Sequence, residues 1–384
     1  DTRDAQVYGK ELMSAFEVPY TDFRAQNAGV REDLRAAFDG VLDSGQYIQG
    51  PNVSGFEREF ADYVGAPFAT GVANGTCSLH LVLRSMGVGA GDEVITAPNS
   101  FFASAAAIAL VGATVVFADV GEDANIDPAA IEAAITERTR VIMPVHLTGR
   151  PVDMVRIQQV VDRHGLEILE DAAQAAGSRF HGQRVGSWGR AASFSLHPLK
   201  SLHAFGDAGV VTAQDKQIVQ DVALRKNHGL VDRGTCDSWS FNCRLDEVQA
   251  ALLRIQLADL DYRIGERRRL AHQYHALLDG MVKVPVERSG EFHTYQTYLI
   301  QADRRDELQT HLRANGVEAV VHYPVPLHLQ PAARDLGYVK GSLPIAEKLS
   351  DQILSLPIFP GMTDEQQEIV AAQIRAFYGN PLRG

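Results

Sequence analysis

The stretch from Leu166 to Val211 constrains this chain more than any other. It reads L-E-I-L-E-D-A-A-Q-A-A-G, then H-G-Q-R-V-G-S-W-G, then A-A-S-F-S-L-H-P-L-K-S-L-H-A-F-G-D-A-G-V-V. One apolar run ends in an acid at Asp171, and a second, Ala192 to Leu196, is followed by a lysine at Lys200. Each charge falls just past the end of an expected strand, which is where open α/β sheets build their sites.

An isolated aspartate usually caps a helix, and an isolated lysine is usually a solvated loop residue. The pair in this setting suits a narrower chemistry. Pyridoxal 5'-phosphate needs a lysine amine to hold its aldehyde as a Schiff base and a carboxylate to keep its ring nitrogen protonated. Lys200 and Asp171 are the candidates.

The motifs E-D-A-A-Q-A-x-G, F-S-x-H-P-x-K and G-D-x-G, in this order, resemble the DegT/StrS family of sugar aminotransferases, from about Val18 to Pro360. Three linked motifs at consistent spacing are far more specific than a lone glycine-rich loop. The resemblance implies the fold type I of pyridoxal-phosphate transferases. In such a protein the acid matching Asp171 pairs with the pyridine nitrogen, the amide matching Gln174 contacts the phenolic oxygen, the serine matching Ser195 binds phosphate, and the lysine matching Lys200 carries the aldehyde. One departure is visible: Gly206-Asp207-Ala208-Gly209 stands where the family usually has G-D-G-G. The extra methyl is expected to adjust the loop without removing function.

Other site residues follow from local pattern or from the resemblance. Gly75-Thr76 lies between a strand-like run and a helix, so backbone amides at that helix start can form an anion site. Phe101 matches the family aromatic that stacks on the pyridine ring, although an aromatic opening a helix is more often core. Asn242 to Glu247 resembles the family's N-x-R-x-x-E, whose asparagine reaches a partner subunit's cofactor phosphate; Arg244 reads as a structural ion-pair partner. The resemblance sets His322 to His328 over the sugar, with Tyr323 and His328 lining its pocket. The two histidines lack a carboxylate or cysteine at ligand spacing, so no metal site is expected. His197 and His203 flank Lys200 and either shape the pocket or satisfy the loop.

The strand-like runs at 66–73, 93–97, 114–119, 140–146, 166–170, 191–196 and 208–213 alternate mostly with helical segments. That order makes a mostly parallel seven-stranded sheet flanked by helices, with a reversed strand where the short loop joins the last two runs. Leu34, Phe38, Val41 and Leu42 share a helical face that ends at Ser44-Gly45, Ser54 to Glu57 has capping-box spacing, and Asp127-Pro128 opens another helix. Helical periodicity without proline from Leu245 to Leu278 predicts one long helix leading to a smaller C-terminal α/β domain. There, strands are expected near Thr294–Ile300 and Val317–His322 and helices at about 344–353 and 363–378. The expected division is a disordered leader at 1–15, with Met13 a candidate natural start, a large cofactor-binding domain at 16–260 and a small domain at 261–384.

Composition narrows the partners. A net charge of −12 over 384 residues argues against nucleic acid, which needs a basic stripe, so an anionic substrate must be met by local cations such as Arg179, Arg225 or Lys226. No apolar run reaches the roughly 18 residues of a membrane helix, and three cysteines without pairing spacing fit a reducing cytoplasm. The function expected is an aminotransferase moving nitrogen from L-glutamate to a nucleotide-linked 3- or 4-keto-6-deoxy sugar, as a homodimer with shared sites. A keto-cyclitol acceptor and a non-catalytic regulator are the alternatives; relatives that dehydrate sugars replace the lysine with histidine.

Overall fold

Residues on successive positions of the central strands are apolar on both sides, so the sheet they form has to be covered on both faces. The computed structural model, which describes residues 16–379, has that arrangement. The expected leader at 1–15 lies outside the described residues. In chain order the strands of the first part are β1 (Phe68–Val72), β2 (Glu93–Thr96), β3 (Thr114–Phe117), β4 (Thr139–Met143), β5 (Glu167–Asp171), the short pair β6 (Arg179–Phe180) and β7 (Gln183–Arg184), β8 (Ala191–Ser195) and β9 (Gly209–Ala213). Seven of them form one sheet in the order β1-β9-β8-β5-β4-β2-β3. Only β9 runs against its neighbours, as the short loop before it predicts. Val210 belongs to the core cluster of Phe56, Phe60 and Phe194 on one face, while Val211 belongs to that of Leu169 and Ile142 on the other, the two-residue alternation of a strand buried twice.

The helices around this sheet are α1 (Phe23–Asn27), α2 (Arg31–Ser44), α3 (Pro51–Val64), α4 (Gly75–Ser85), α5 (Phe102–Leu110), α6 (Pro128–Ala134), α7 (Met154–His164) and α8 (Lys216–Arg225). Gly45 ends α2 in the left-handed conformation, and Asp127 caps α6 through the Ala129 amide at 3.0 Å, both as the sequence indicates. The start of α3 differs from expectation. It begins at Pro51, its first amides are held by the Glu247 carboxylate (Gly50 N 2.9 Å, Val53 N 3.1 Å), and Ser54 lies inside the helix. Glu57, expected in the capping box, instead accepts from the Gly71 amide at 2.8 Å and ties α3 to β1.

The C-terminal part contains α9 (Glu247–Ala258), α10 (Leu260–Leu277), β10 (Glu291–Phe292), β11 (Tyr298–Gln301), α11 (Arg305–Ala314), α12 (Pro344–Gln352), β12 (Ile353–Leu356) and α13 (Asp364–Tyr378). The single long helix expected over 245–278 is broken at Asp259, whose carboxylate pairs with the buried Arg263 at 2.8 Å. Leu260 and Ile264 pack with the first core and Leu270 and Tyr274 with the second, and within α10 is where we propose that the two domains divide. β11 and β12 pair antiparallel, and Thr363 and Gln366 form the expected capping box of α13. The strand expected over Val317–His322 does not form, because Val317 bridges to Val18 and Val320 to Ser355, so no two successive residues share a partner strand.

Candidate active site

The carboxyl ends of β5 and β8 and the amino end of α4 open on one cavity of about 620 Å³. Asp171, the last residue of β5, and Lys200, on the loop after β8, both line it. Asp171 accepts from the Ser104 hydroxyl at 2.7 Å and from the Ala173 amide at 3.2 Å. Burial still holds its carboxyl above the usual carboxylate range, against the pull of those donors and of Lys200. Lys200 is partly buried. Loss of hydration pushes its ammonium down to about 8, more than the facing Asp171 restores. Among the described residues no salt bridge links the two, so an amine and a carboxylate remain available to a third group between them.

The first turn of α4 forms the next wall. Asn74 caps the helix by accepting from the Cys77 amide at 2.8 Å, while the amides of Gly75 and Thr76 have no acceptor among the described residues. Such free amides at a helix start favour an anion. Gly75 is required by close approach: a Cβ there would lie 2.8 Å from the Ser195 Cβ. The same reasoning locates the indispensable glycine of the G-D-A-G loop at Gly209, where a Cβ would meet the Asn74 carbonyl carbon at 2.6 Å. Ala208, the departure from the family's G-D-G-G, is fully buried.

Phe101 caps α5 and is 49% exposed, so it belongs to the cavity wall and not to the core. Its ring centroid lies 5.7 Å from that of Tyr323, whose phenol burial holds well above its ordinary range. Gln174 also lines the cavity and accepts from the Thr148 amide at 2.6 Å. His322, the first residue of the segment expected over the sugar, lines the same wall. Two contributors escaped sequence reasoning: Tyr20 lines that wall as well, and Ser104 holds Asp171 while exchanging a hydrogen bond with Ser100 at 2.8 Å. The four-residue spacing of Ser100 and Ser104 is the only signal that could have flagged the last of these.

Several expected members sit elsewhere. His328 is 2% exposed, hydrogen-bonds Glu347 at 3.0 Å and packs on Phe117 and Tyr338, because the turn after Pro326 carries it inward; His322 takes the cavity position in its place. Lys226 is consumed by Glu57, Thr70 and the Gly71 carbonyl, Arg225 by Asp221 at 2.6 Å, and Arg179 lies over the Phe292 ring, so none of the three lines the cavity. Asn242 is exposed and outside its own chain's cavity. Arg244 donates to the Asn227 amide oxygen at 2.9 Å and makes no ion pair among the described residues. His197 lines the cavity, whereas His203 lies beneath it and hydrogen-bonds the Lys200 carbonyl at 3.1 Å. Among the described residues no three His, Cys, Asp or Glu side chains converge to hold a metal ion. A larger hollow of about 790 Å³ lies elsewhere on the surface, but Arg140 and Arg190 on its rim are paired with Asp92 and Glu167.

Sheet, second core and an amine facing a carboxylate across a cavity define an α/β group-transfer enzyme. The DegT/DnrJ/EryC1/StrS aminotransferase family matches residues 29–375, and the chain belongs to that family. The dTDP-3-amino-3,4,6-trideoxy-alpha-D-glucose transaminase of Streptomyces venezuelae is 42% identical over 361 residues, 93% of this chain and 95% of the relative. A protein of Geobacillus stearothermophilus named "Pleiotropic regulatory protein" is 41% identical over 366 residues, 94% of this chain and 98% of the relative. The crystal structure of S. venezuelae DesV in complex with a ketimine intermediate superposes with a TM-score of 0.92 at 42% identity, covering 94% of this chain and 99% of that one. The chain is therefore an aminotransferase by family and by fold.

Proposed function

We propose that this aminotransferase uses pyridoxal 5'-phosphate to move the amino group of L-glutamate to a nucleotide-linked 3- or 4-keto-6-deoxy sugar. One observation carries the cofactor reading: the partly buried Lys200 amine and the buried Asp171 carboxylate face one cavity whose next wall is the free amide end of α4. The bound cofactor supplies an electron-withdrawing ring that stabilises charge at the carbon bearing nitrogen. Gly75, Thr76 and Ser195 would hold its phosphate. Asp171, steadied by Ser104, would keep a proton on the ring nitrogen, Phe101 would cover the ring, and Gln174 would meet its phenolic oxygen. Lys200, half neutral near pH 8, would bind the aldehyde and then carry a proton on Nζ to and from the substrate carbon.

The sugar reading rests on the names of the relatives and on a cavity walled by hydroxyl, imidazole and phenol groups, with Tyr323 and His322 on the outer side. Asn242 would serve the cofactor phosphate of a second copy, and exposed apolar side chains support a dimer: Phe38, Leu42 and Phe205 are all exposed, and Trp239 is 94% exposed. Three free cysteines favour a reducing cytoplasm. Among the described residues no helix is long and apolar enough to cross a membrane. Mass spectrometry of the protein with glutamate and a panel of nucleotide keto-sugars, beside a free keto-cyclitol, tests the acceptor; preference for the cyclitol overturns it. The name of the Geobacillus relative favours a second reading as a regulator. A single turnover with glutamate, converting bound cofactor to its amine form, separates the two.

A further inference from the structure

The chain on either side of Lys200 is tied to one side chain of the smaller domain. Gln296 precedes β11 and is 8% exposed. Its Nε2 donates to the Leu199 carbonyl at 2.6 Å, and its Oε1 accepts from the Ser201 hydroxyl at 2.7 Å. A carbonyl only accepts, so the Leu199 bond fixes which end of the amide is which, and the Ser201 hydroxyl has to donate. Among the described residues neither the Leu199 carbonyl nor the Ser201 hydroxyl makes another hydrogen bond. We propose that Gln296 is a positioning residue, which holds Lys200 in the cavity wall, partly withdrawn from water and facing Asp171.

Within the loop, the Lys200 amide donates to the His197 carbonyl and the Ala204 amide to the Leu196 carbonyl, both at 2.8 Å. These bonds shape the turn. A tie to each neighbour of Lys200 from outside it sets the direction in which the lysine side chain leaves the turn. Gln296 is itself fixed from two sides. Arg267, 3% exposed on α10, donates to the Ile358 carbonyl at 2.8 Å and to the carbonyls of Tyr295 and Gln296 at 3.4 and 3.3 Å. The Thr294 amide donates to the Gly149 carbonyl and the Thr297 amide to the Thr148 carbonyl, both at 3.2 Å, beside the Thr148 amide that holds Gln174. A side chain whose own backbone is locked in this way is preorganised to hold a catalytic loop.

The placement of Lys200 is tested on the full chain freed of cofactor. The effect on rate, which rests on reading Lys200 as the proton carrier, is tested on the loaded enzyme. Trace acetic anhydride acetylates an amine only in its neutral form, so peptide mapping of acetylated Lys200 against pH gives its midpoint. The parent midpoint is expected at about pH 8. In Gln296→Ala it should rise by about one unit or more toward the ordinary lysine value, as the freed amine regains water. Asp171, Cys77, His197, Asp207, His322 and the phenols of Tyr20 and Tyr323, which share the cavity with Lys200, are the same in every variant. With cofactor bound, the saturating single-turnover rate with glutamate should fall about tenfold, and half-saturation should stay within about twofold. Ser201→Ala removes one of the two ties and should move both readings the same way, by less. Gln367→Ala controls for general loosening: Gln367 is buried in the same domain, where Nε2 holds the Leu270 carbonyl at 2.9 Å, and its loss should leave the Lys200 midpoint unchanged. An unchanged midpoint in Gln296→Ala, or in Ser201→Ala where the first variant does not fold, overturns the proposal, as does an equal shift in Gln367→Ala. A raised midpoint with an unchanged rate upholds the positioning and counts against Lys200 as the proton carrier.

Discussion

Glu170 and Asp171 are neighbours on β5, both buried, and they serve two regions that treat a carboxylate in opposite ways. Below the sheet end, Glu170 accepts from three amides, Gly186 at 2.8 Å, Trp188 at 2.9 Å and Gly189 at 2.8 Å, and meets His146 at 3.2 Å. On the cavity side, Asp171 has one hydroxyl and one amide and otherwise faces open space and Lys200. A carboxylate saturated with donors fixes a loop; one left short of them stays available to a ligand. Strand alternation alone assigns the two residues to different regions.

The largest effect expected on the cavity side is that of Lys200→Ala. Steady-state turnover with glutamate should fall by at least about a thousandfold, since no amine remains to move protons. Spectroscopic titration should still show cofactor binding through the α4 cradle and Asp171. Residual turnover near the parent rate would remove Lys200 from the chemistry.

Next is the pH dependence of cofactor capture. Only the neutral amine attacks an aldehyde, so stopped-flow rates should rise about tenfold per pH unit and level off near pH 8. A rise continuing toward the ordinary lysine value of about 10.4 would mean that Lys200 is not desolvated.

Paired substitutions sharpen the comparison itself. Asp171→Asn should lower the rate about a hundredfold and change the unfolding free energy by less than about 1 kcal/mol. Glu170→Gln should do the reverse, costing about 3 kcal/mol in denaturant unfolding as an amide nitrogen replaces an acceptor among three N–H donors. Equal effects on rate and stability in both variants would erase the distinction between the two regions.

Smaller again is the contrast at the loop beside α4. Gly209→Ala should destabilise by about 2 kcal/mol and weaken cofactor binding, because the new Cβ has no space beside Asn74. Ala208→Gly should cost no more than about 1 kcal/mol, measured in the same unfolding assay.

What could be read from the sequence follows the range of the interactions involved. The seven strands, the reversal at β9, Gly45, Asp127 and the Thr363 box are local matters of alternation, turn residues and caps. The start of α3 was not legible, because its cap, Glu247, lies 197 residues from Gly50. The break at Asp259 has no glycine or proline to mark it, and depends on Arg263 folding back onto it. In the site, Asp171 and Lys200 are marked by the strands that end beside them. Tyr20 comes to the cavity only through tertiary packing, and which of His322 and His328 points inward is decided by a turn that periodicity does not describe.

The most direct test is borohydride reduction of the protein with pyridoxal 5'-phosphate at pH 8, followed by proteolysis and peptide mapping. The pyridoxyl group is expected on the peptide carrying Lys200, at one per chain, and absent when Asp171 and Lys200 are intact but phosphate-blocked by excess inorganic phosphate at the α4 cradle. A label on any other lysine, or none on Lys200, would contradict the assignment of this cavity.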